Sequence, residues 1–372
     1  MGEIIVTIFW FLVVLTPLVF VHEFGHYWVA KINGVRVEIF SIGFGPEIFG
    51  WTDKSKTRWK FSLIPFGGYV KMFGQSDVDS NKEDHALTTE ETLVSFAHKK
   101  LSQKAAIVAA GPIANIIFAI FILAISFATI GQSYTPAIIT EVLKGSVAEE
   151  AGFEVNDVFL EVAGSSVKRF EEVAQLVQLH PGIPINVIVK RNGSIVTVPI
   201  TPAESIQKDD LGDEIKIGRI GVRSTAREIK RHNVFEAFWQ SIRATGHLTT
   251  VMVTGVSQIV SGERSAKQLG GPIRIAQISG SAADAGFASL VFITALLSVN
   301  LGLINLLPIP LLDGGHLVFY AYEFVFRRPP NQKVVDIGLK IGLALVLSLM
   351  LFATYNDLSR LPLIQKLISL VI

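Results

Sequence analysis

Val21-His22-Glu23-Phe24-Gly25-His26 closes an apolar run that begins at Ile4. From Ile4 to Val21 there is no Lys, Arg, Asp or Glu, and the run is long enough to cross a bilayer as a helix. Two histidines and a glutamate therefore stand at the end of, or inside, a membrane span, where ionisable groups are costly and mark function. On a helix, His22 and His26 lie one turn apart and share a face. Two imidazoles hold one zinc at that spacing, with Glu23 beside them as general base. The plain alternative is a pair of satisfied interfacial histidines, and a third ligand elsewhere in the chain decides between the two.

Composition agrees with a membrane setting. Half of the 372 residues are hydrophobic and the formal net charge is +1. The length suggests two or three folding units, and the charge balance gives no basic excess for nucleic acid. Cysteine is absent, so disulfides and thiolate chemistry are excluded and any metal must use nitrogen and oxygen ligands. The first residues carry Glu3 and no Lys or Arg, and no small-residue cleavage site precedes the histidines. The first span is therefore expected to be retained.

Four segments qualify as spans: Ile4 to Ala30, Ala105 to Ile130, Gly286 to Leu312, and Val335 to Thr354. Arg327, Arg328 and Lys333 between the last two place that loop in the cytoplasm. Lys54, Lys56, Arg58, Lys60, Lys99, Lys100 and Lys104 do the same for the first loop. The first loop also holds two β-like runs, Val35 to Phe49 and Trp59 to Met72, rich in β-branched and aromatic residues and punctuated by Gly and Pro. They read either as a cytoplasmic ribbon or as strands dipping into a protein-lined cavity. Ser76 to Glu91 is polar and acidic, a surface loop. In the second span, Gly111-Pro112 predicts a kink or a close helix contact. Asn115 needs a partner on another helix, a structural role rather than a catalytic one.

Between the second and third spans, Ala137 to Pro202 alternates strands with a helix around Val173, Leu176 and Val177, and Arg191-Asn192-Gly193 signals a hairpin. The pattern resembles a bacterial-type PDZ domain, with Phe153 and Asn156 where leucine and glycine are more usual. Such a domain binds a peptide tail by strand addition, or here serves only as a sieve. Asn233 to Val260 carries Phe235, Phe238, Trp239, Ile242, Met252, Val256 and Ile259 at near-helical spacing, one or two amphipathic helices against the membrane or the spans.

The third span runs into Asn305-Leu306-Leu307-Pro308-Ile309-Pro310-Leu311-Leu312-Asp313-Gly314. Its prolines free backbone groups that must be satisfied inside protein or a wet cavity. Asp313 supplies the third ligand; two histidines and one carboxylate leave zinc a fourth position for water, as in catalytic sites. His316 reads as a neighbour of the site or a cytoplasmic residue rather than a ligand. These motifs, with Gly43-Phe44-Gly45-Pro46 and Gly67-Gly68-Tyr69-Val70-Lys71-Met72, resemble the site-2 protease family over almost the whole chain. More narrowly they resemble the bacterial regulator-of-sigma-E proteases, with one recognisable PDZ unit where the best-known members carry two.

The resemblance implies a polytopic α-helical membrane protein with four transmembrane helices, a membrane-associated β-hairpin and an inserted α+β PDZ domain. The expected units are 1–30, the first helix with its HExxH; 31–104, the re-entrant β region; 105–131, the second helix; 132–202, the PDZ domain; 203–285, a β segment and amphipathic helices; 286–316, the third helix with Asp313; 317–334, a cytoplasmic loop; and 335–372, the fourth helix and tail. Activity is expected as a Zn2+ endopeptidase of an inner membrane, with lipid around its spans. Substrates are expected to be single-pass proteins cut within the membrane: anti-sigma factors after an external cut in envelope stress signalling, and remnant signal peptides. Glu23 is the expected base and His22, His26 and Asp313 the metal ligands. The resemblance gives Gly67, Gly68, Tyr69, Val70 and Lys71 to strand addition of the substrate, and Asn305 to its opened backbone. The N-terminus, PDZ domain and C-terminus are expected in the periplasm, with the site toward the cytoplasmic half of the bilayer. Two rival classes are an inactive membrane scaffold, which has no need of Glu23, and a di-iron hydroxylase, which needs more clustered histidines than the eight in the chain provide.

Overall fold

The structure, a computed structural model, describes residues 2–75, 88–208, 214–262 and 270–359. Most of the polar loop expected at Ser76 to Glu91 and the tail beyond 359 lie outside the described residues. In chain order the elements are α1 (Gly2–Ile32), β1 (Val37–Thr52), β2 (Arg58–Met72), α2 (Thr89–Val94), α3 (Leu101–Thr129), β3 (Gln132–Tyr134), β4 (Glu141–Val142), α4 (Val147–Glu150), β5 (Val158–Val162), β6 (Ser165–Ser166) and α5 (Phe170–Gln178). There follow β7 (Ile185–Arg191), β8 (Ser194–Ile200), β9 (Ala203–Lys208), β10 (Glu214–Arg219), β11 (Val222–Arg223), β12 (Glu228–Lys230), α6 (Val234–Val260), α7 (Pro272–Asp284), α8 (Phe287–Asn305), α9 (Asp313–Phe326) and α10 (Gln332–Ser359). They form two compact units: Met1–Ile125 with Phe238–Val253 and Ala266–Ile372, and Ser126–Ala237 with Thr254–Ser265.

In the first unit, α1, α3, α8 and α10 are long and apolar enough to cross a membrane. Their exposed side chains, such as Ile5, Phe9, Ile117, Phe121, Leu347 and Leu351, are apolar, as a surface facing hydrocarbon requires. Buried Val14 and Leu18 of α1 pack with Ala282 of α7 and Leu290 of α8.

The first-loop strands form a more elaborate object than a simple hairpin. The start of β1 pairs on one side with the end of β2 (Val37↔Met72, Phe40↔Val70, Ile42↔Gly68). On its other side it pairs with the start of β2 (Phe40↔Trp59, Ile42↔Phe61), which in turn pairs with the end of β1 (Phe49↔Phe61, Trp51↔Trp59). Two long strands thus make a four-ribbon curl, bent where Gly43 and Gly45 take φ of 90° and 86° and where Gly67 takes 106°. Only glycine adopts such angles at little cost. Trp59 stacks on Phe40 at 4.3 Å and on Trp51 at 5.9 Å, locking the register. At the polar tip, burial alone would raise the Asp53 carboxyl. Donors from Trp59, Thr57 and Ser55 outweigh it and hold the group below the usual carboxylate range. The Gly68 to Met72 stretch has a partner on one side only among the described residues, and so forms an edge.

The expected third span and following loop need correction. Helix α8 ends at Asn305, not Leu312, and the chain turns before α9 starts at Asp313. Proline at 308 and 310 cannot donate to a helix ladder. Gly314 and Gly315 pack so closely on the Leu306, Leu307 and Ile309 carbonyls that a side chain would not fit. Residues 317–326, expected as cytoplasmic loop, instead continue α9.

In the second unit, a sheet of order β6-β5-β7-β8 carries α5. Asn192 and Gly193, both at positive φ, make the β7–β8 turn. The core joins Ile139, Phe159, Val162, Val173, Val187 and Val189, and also Ile220. A boundary at residue 202 therefore cuts through this core, because β11 returns to pair with β4 (Val222↔Val142). Fully buried Asp157 accepts from Arg191 Nε at 2.8 Å and Nη2 at 2.6 Å and from the Glu154 amide at 3.0 Å. Asp157→Ala should destabilise this unit by about 2–4 kcal/mol, read as faster amide hydrogen exchange through β5, β7 and β8 with α1 unchanged. Unaltered exchange in those strands would show that the pair does not hold the unit together.

Candidate metal centre

Two elements of the first unit, α1 and α9, meet at one point. On α1, His22 and His26 face the same way, with their rings 4.9 Å apart and nearly perpendicular. Asp313 is the first residue of α9, where the helix N-terminus favours a carboxylate. Just before it, Leu311 is held at φ 104°, a strained value for a bulky residue that fixes the turn into α9. His22 Nε2 lies 3.3 Å from Asp313 Oδ2, His26 Nε2 lies 3.4 Å from the same oxygen, and the two Nε2 atoms are 3.3 Å apart.

The donor set fits a tetrahedral zinc ion. Bonds of about 2.0–2.1 Å at tetrahedral angles separate neighbouring ligand atoms by about 3.3 Å. His26 Nδ1 donates to the Ile107 carbonyl at 2.9 Å, which leaves the Nε2 lone pair free to ligate. A single proton shared between the imidazoles could not also serve the carboxylate, and buried Asp313 Oδ2 makes no hydrogen bond despite its close neighbours. Three acceptor atoms converging away from water call for one cation. No other group of three such residues converges among the described residues.

Around this triplet, α3 is held against α1 by small residues. A side chain at Gly25 would run into Ala110 and Ala114, and one at Gly111 would occupy the space of the His26 ring. Glu23, only 8% exposed, lies beside the hairpin: a Cβ at Gly68 would come within 2.9 Å of Glu23 Cγ and of Val19 Cγ1. The edge stretch of β2 therefore begins directly against the glutamate.

The other residues singled out in the sequence are dispersed. Gly67 packs on the Phe44 ring, and Tyr69 stacks on Phe44 at 6.1 Å beneath the Lys60 ammonium. Val70 packs on the cluster of Ala30, Val37 and Met72, and Lys71 pairs across to Ile39. Asn305 ends α8, half-buried, with no hydrogen bond to the triplet among the described residues. His316 sits on α9 with its ring edge-on to Phe319, outside the triplet. The Ile107 carbonyl left no signal in the sequence; Gly111 makes the close helix contact expected of it and Asn115 finds its partner on another helix, with Nδ2 3.3 Å from His22 Nδ1, but neither was read as a neighbour of the metal ligands. The one available signal was that Gly111 and Asn115 share a helix face.

Comparison with known proteins identifies the family. The pattern of peptidase family M50 matches residues 10–349. A relative from Agrobacterium fabrum, named "Putative zinc metalloprotease", is 42% identical over 359 residues, covering 94% of this chain and 95% of its own. Relatives of the same name from Rhizobium meliloti and Campylobacter jejuni are 41% and 37% identical, covering 94% and 93% of this chain and 95% and 92% of theirs. The PDZ domain of the SdrC-like protein of Listeria monocytogenes covers 25% of the chain at 16% identity with a TM-score of 0.19, too low to bear on the fold. With a family match over residues 10–349, relatives covered over nearly their whole length and four apolar helices, the chain belongs to peptidase family M50, the site-2 proteases, and is an inner-membrane zinc metalloprotease.

Proposed function

We propose that His22, His26 and Asp313 hold the zinc, that Glu23 is the general base, and that the substrate is a single-pass membrane protein cut within its transmembrane segment. The observation that carries this reading is the placement of an open strand edge, Gly68 to Met72, against the helix that bears Glu23. A transmembrane helix hides its peptide bonds in its own hydrogen bonds, so it must unwind before attack. An edge strand supplies replacement partners by strand addition, and Gly67 to Lys71 would then lead the opened backbone toward the base. Asn305, the last residue of α8, would bind a further part of that backbone, as the family resemblance suggests.

When bound, zinc supplies a water acidified toward neutrality and a Lewis acid for the scissile carbonyl. Glu23 accepts the proton of the attacking water and returns it to the leaving amine. The apolar walls of α1, α3 and α8 keep other water away, which strengthens each charge contact inside.

Loop charges support an orientation with 31–104 and the residues between α9 and α10 in the cytoplasm. By the same rule the termini and the PDZ-like segment are periplasmic, and the zinc lies toward the cytoplasmic half of the bilayer. That segment would control which substrates enter, by gripping a tail or by sieving. Its strand-and-helix pattern supports this role, and the family resemblance supports trimmed anti-sigma factors and remnant signal peptides as substrates in envelope stress signalling.

Glu23→Gln should keep about one zinc per chain and lose at least ~10²-fold in cleavage of a model single-pass substrate; robust proteolysis would remove Glu23 from the base role. Asp313→Ala should lose most bound zinc in metal analysis of the purified protein, and unchanged stoichiometry would point to another third ligand. Donors alternate sides along a strand, so one of Tyr69→Pro and Val70→Pro removes an outward donor while the inner ladder survives. At least one of the two should fold normally and cleave poorly. Normal turnover by both folded variants would exclude strand addition at this edge.

A further inference from the structure

The two histidines of α1 face a matched pair of positions on α3. His26 lies against Gly111 and His22 against Asn115, so both pairs are one turn apart on helices that run in opposite directions. Gly111 provides space, and the Ile107 carbonyl fixes the His26 tautomer. Among the described residues, His22 has no carbonyl of that kind. Its Nδ1 meets the Asn115 amide, which is completely buried.

The amide is oriented with Nδ2 3.3 Å from His22 Nδ1, while Asn115 Oδ1 is buried without a hydrogen bond. For His22 Nε2 to ligate a metal, the ring proton must sit on Nδ1, so Nδ1 is then a donor and needs an acceptor. Two donors cannot face each other. A half-turn of the amide about its last bond exchanges nitrogen and oxygen without moving other atoms, and gives the otherwise unpartnered Oδ1 the Nδ1–H.

The backbone beneath the amide is held in place. Ser298 Oγ of α8 donates to the Asn115 carbonyl at 2.7 Å, and a Cβ at Gly302 would come within 2.9 Å of the Pro112 carbonyl and 3.5 Å of Asn115 Cβ. A short polar side chain is thus clamped between two spans, aimed at a ligand ring, and carries an atom with no hydrogen bond among the described residues.

We propose that Asn115 is the positioning residue of the metal centre: its Oδ1 accepts the His22 Nδ1–H and fixes the ligating tautomer and ring angle. This rests on the ligand set proposed above. Partners of this kind typically change metal affinity 10–100-fold.

The test is metal affinity of the full chain in detergent, by competition with a chelator for zinc and by the absorption of bound cobalt(II), with thermal unfolding as the check on folding. Asn115→Leu, similar in size but without an acceptor, should bind about 10–100-fold more weakly and show an altered cobalt spectrum. Asn115→Asp, which keeps only acceptors, should bind at least as tightly as the unmodified protein. Leu at unchanged affinity, or Asp as weak as Leu, would overturn the inference. If the Leu variant does not fold, Asp alone decides, because a role as donor to His22 would make it weak. Failure of the unmodified protein to bind either metal would sink the ligand set itself, a result distinguishable from the loss of this inference alone.

Discussion

Three acceptor atoms converging in the interior, with no donor to Asp313 Oδ2 among the described residues, organise this molecule. Two imidazole nitrogens and a carboxylate oxygen stand 3.3–3.4 Å apart in a helix bundle made of apolar spans. Left without a cation, such an arrangement forfeits hydrogen bonds that each atom would have in water, about 1–3 kcal/mol apiece and more for the carboxylate. With one divalent ion at their centre, the same geometry becomes a strong site. The surrounding architecture keeps the three atoms from relaxing apart.

Each neighbouring element contributes to that constraint. Close approach of α3 depends on Gly25 and Gly111, and its Ile107 carbonyl holds one imidazole. The turn through Pro308 and Pro310 reverses the chain after α8 and presents Asp313 at a helix N-terminus, against the small surfaces of Gly314 and Gly315. α10 closes on the turn, where Gly342 fits against the Pro310 carbonyl. The β curl adds a strand edge paired on one side only among the described residues. Its edge starts where Gly68 leaves room for Glu23, so the proposed pairing edge and the proposed base are neighbours.

What was legible in the sequence was local. The spacing of His22 and His26 is fixed by the helix period, and the apolar run before them fixes the setting, so the convergence of the pair on one helix face could be read directly. Asp313 was found by its chemistry but set at the end of a span rather than at the start of α9. Prolines announce a break without saying where the chain goes next. The strands of the first loop were visible as β-branched and aromatic runs. Their folding into four ribbons was not, because it depends on pairings such as Phe40↔Val70 and Phe40↔Trp59 that no local signal encodes. The link from β11 to β4 was hidden likewise, being two residues long and about 80 apart in the chain. Asn115 looked like helix glue, and its backbone does serve that way through Ser298. Its side chain gains meaning only when α1 is laid beside α3.

In this account one zinc ion is held by two imidazoles and one carboxylate, with a position left open. Zinc-edge X-ray absorption of the full chain measures this directly. The expected result is a four-coordinate shell of two imidazole nitrogens and two oxygens at about 2.0–2.2 Å. A third imidazole in the shell, which would bring His316 in, or a six-coordinate oxygen shell, would contradict it.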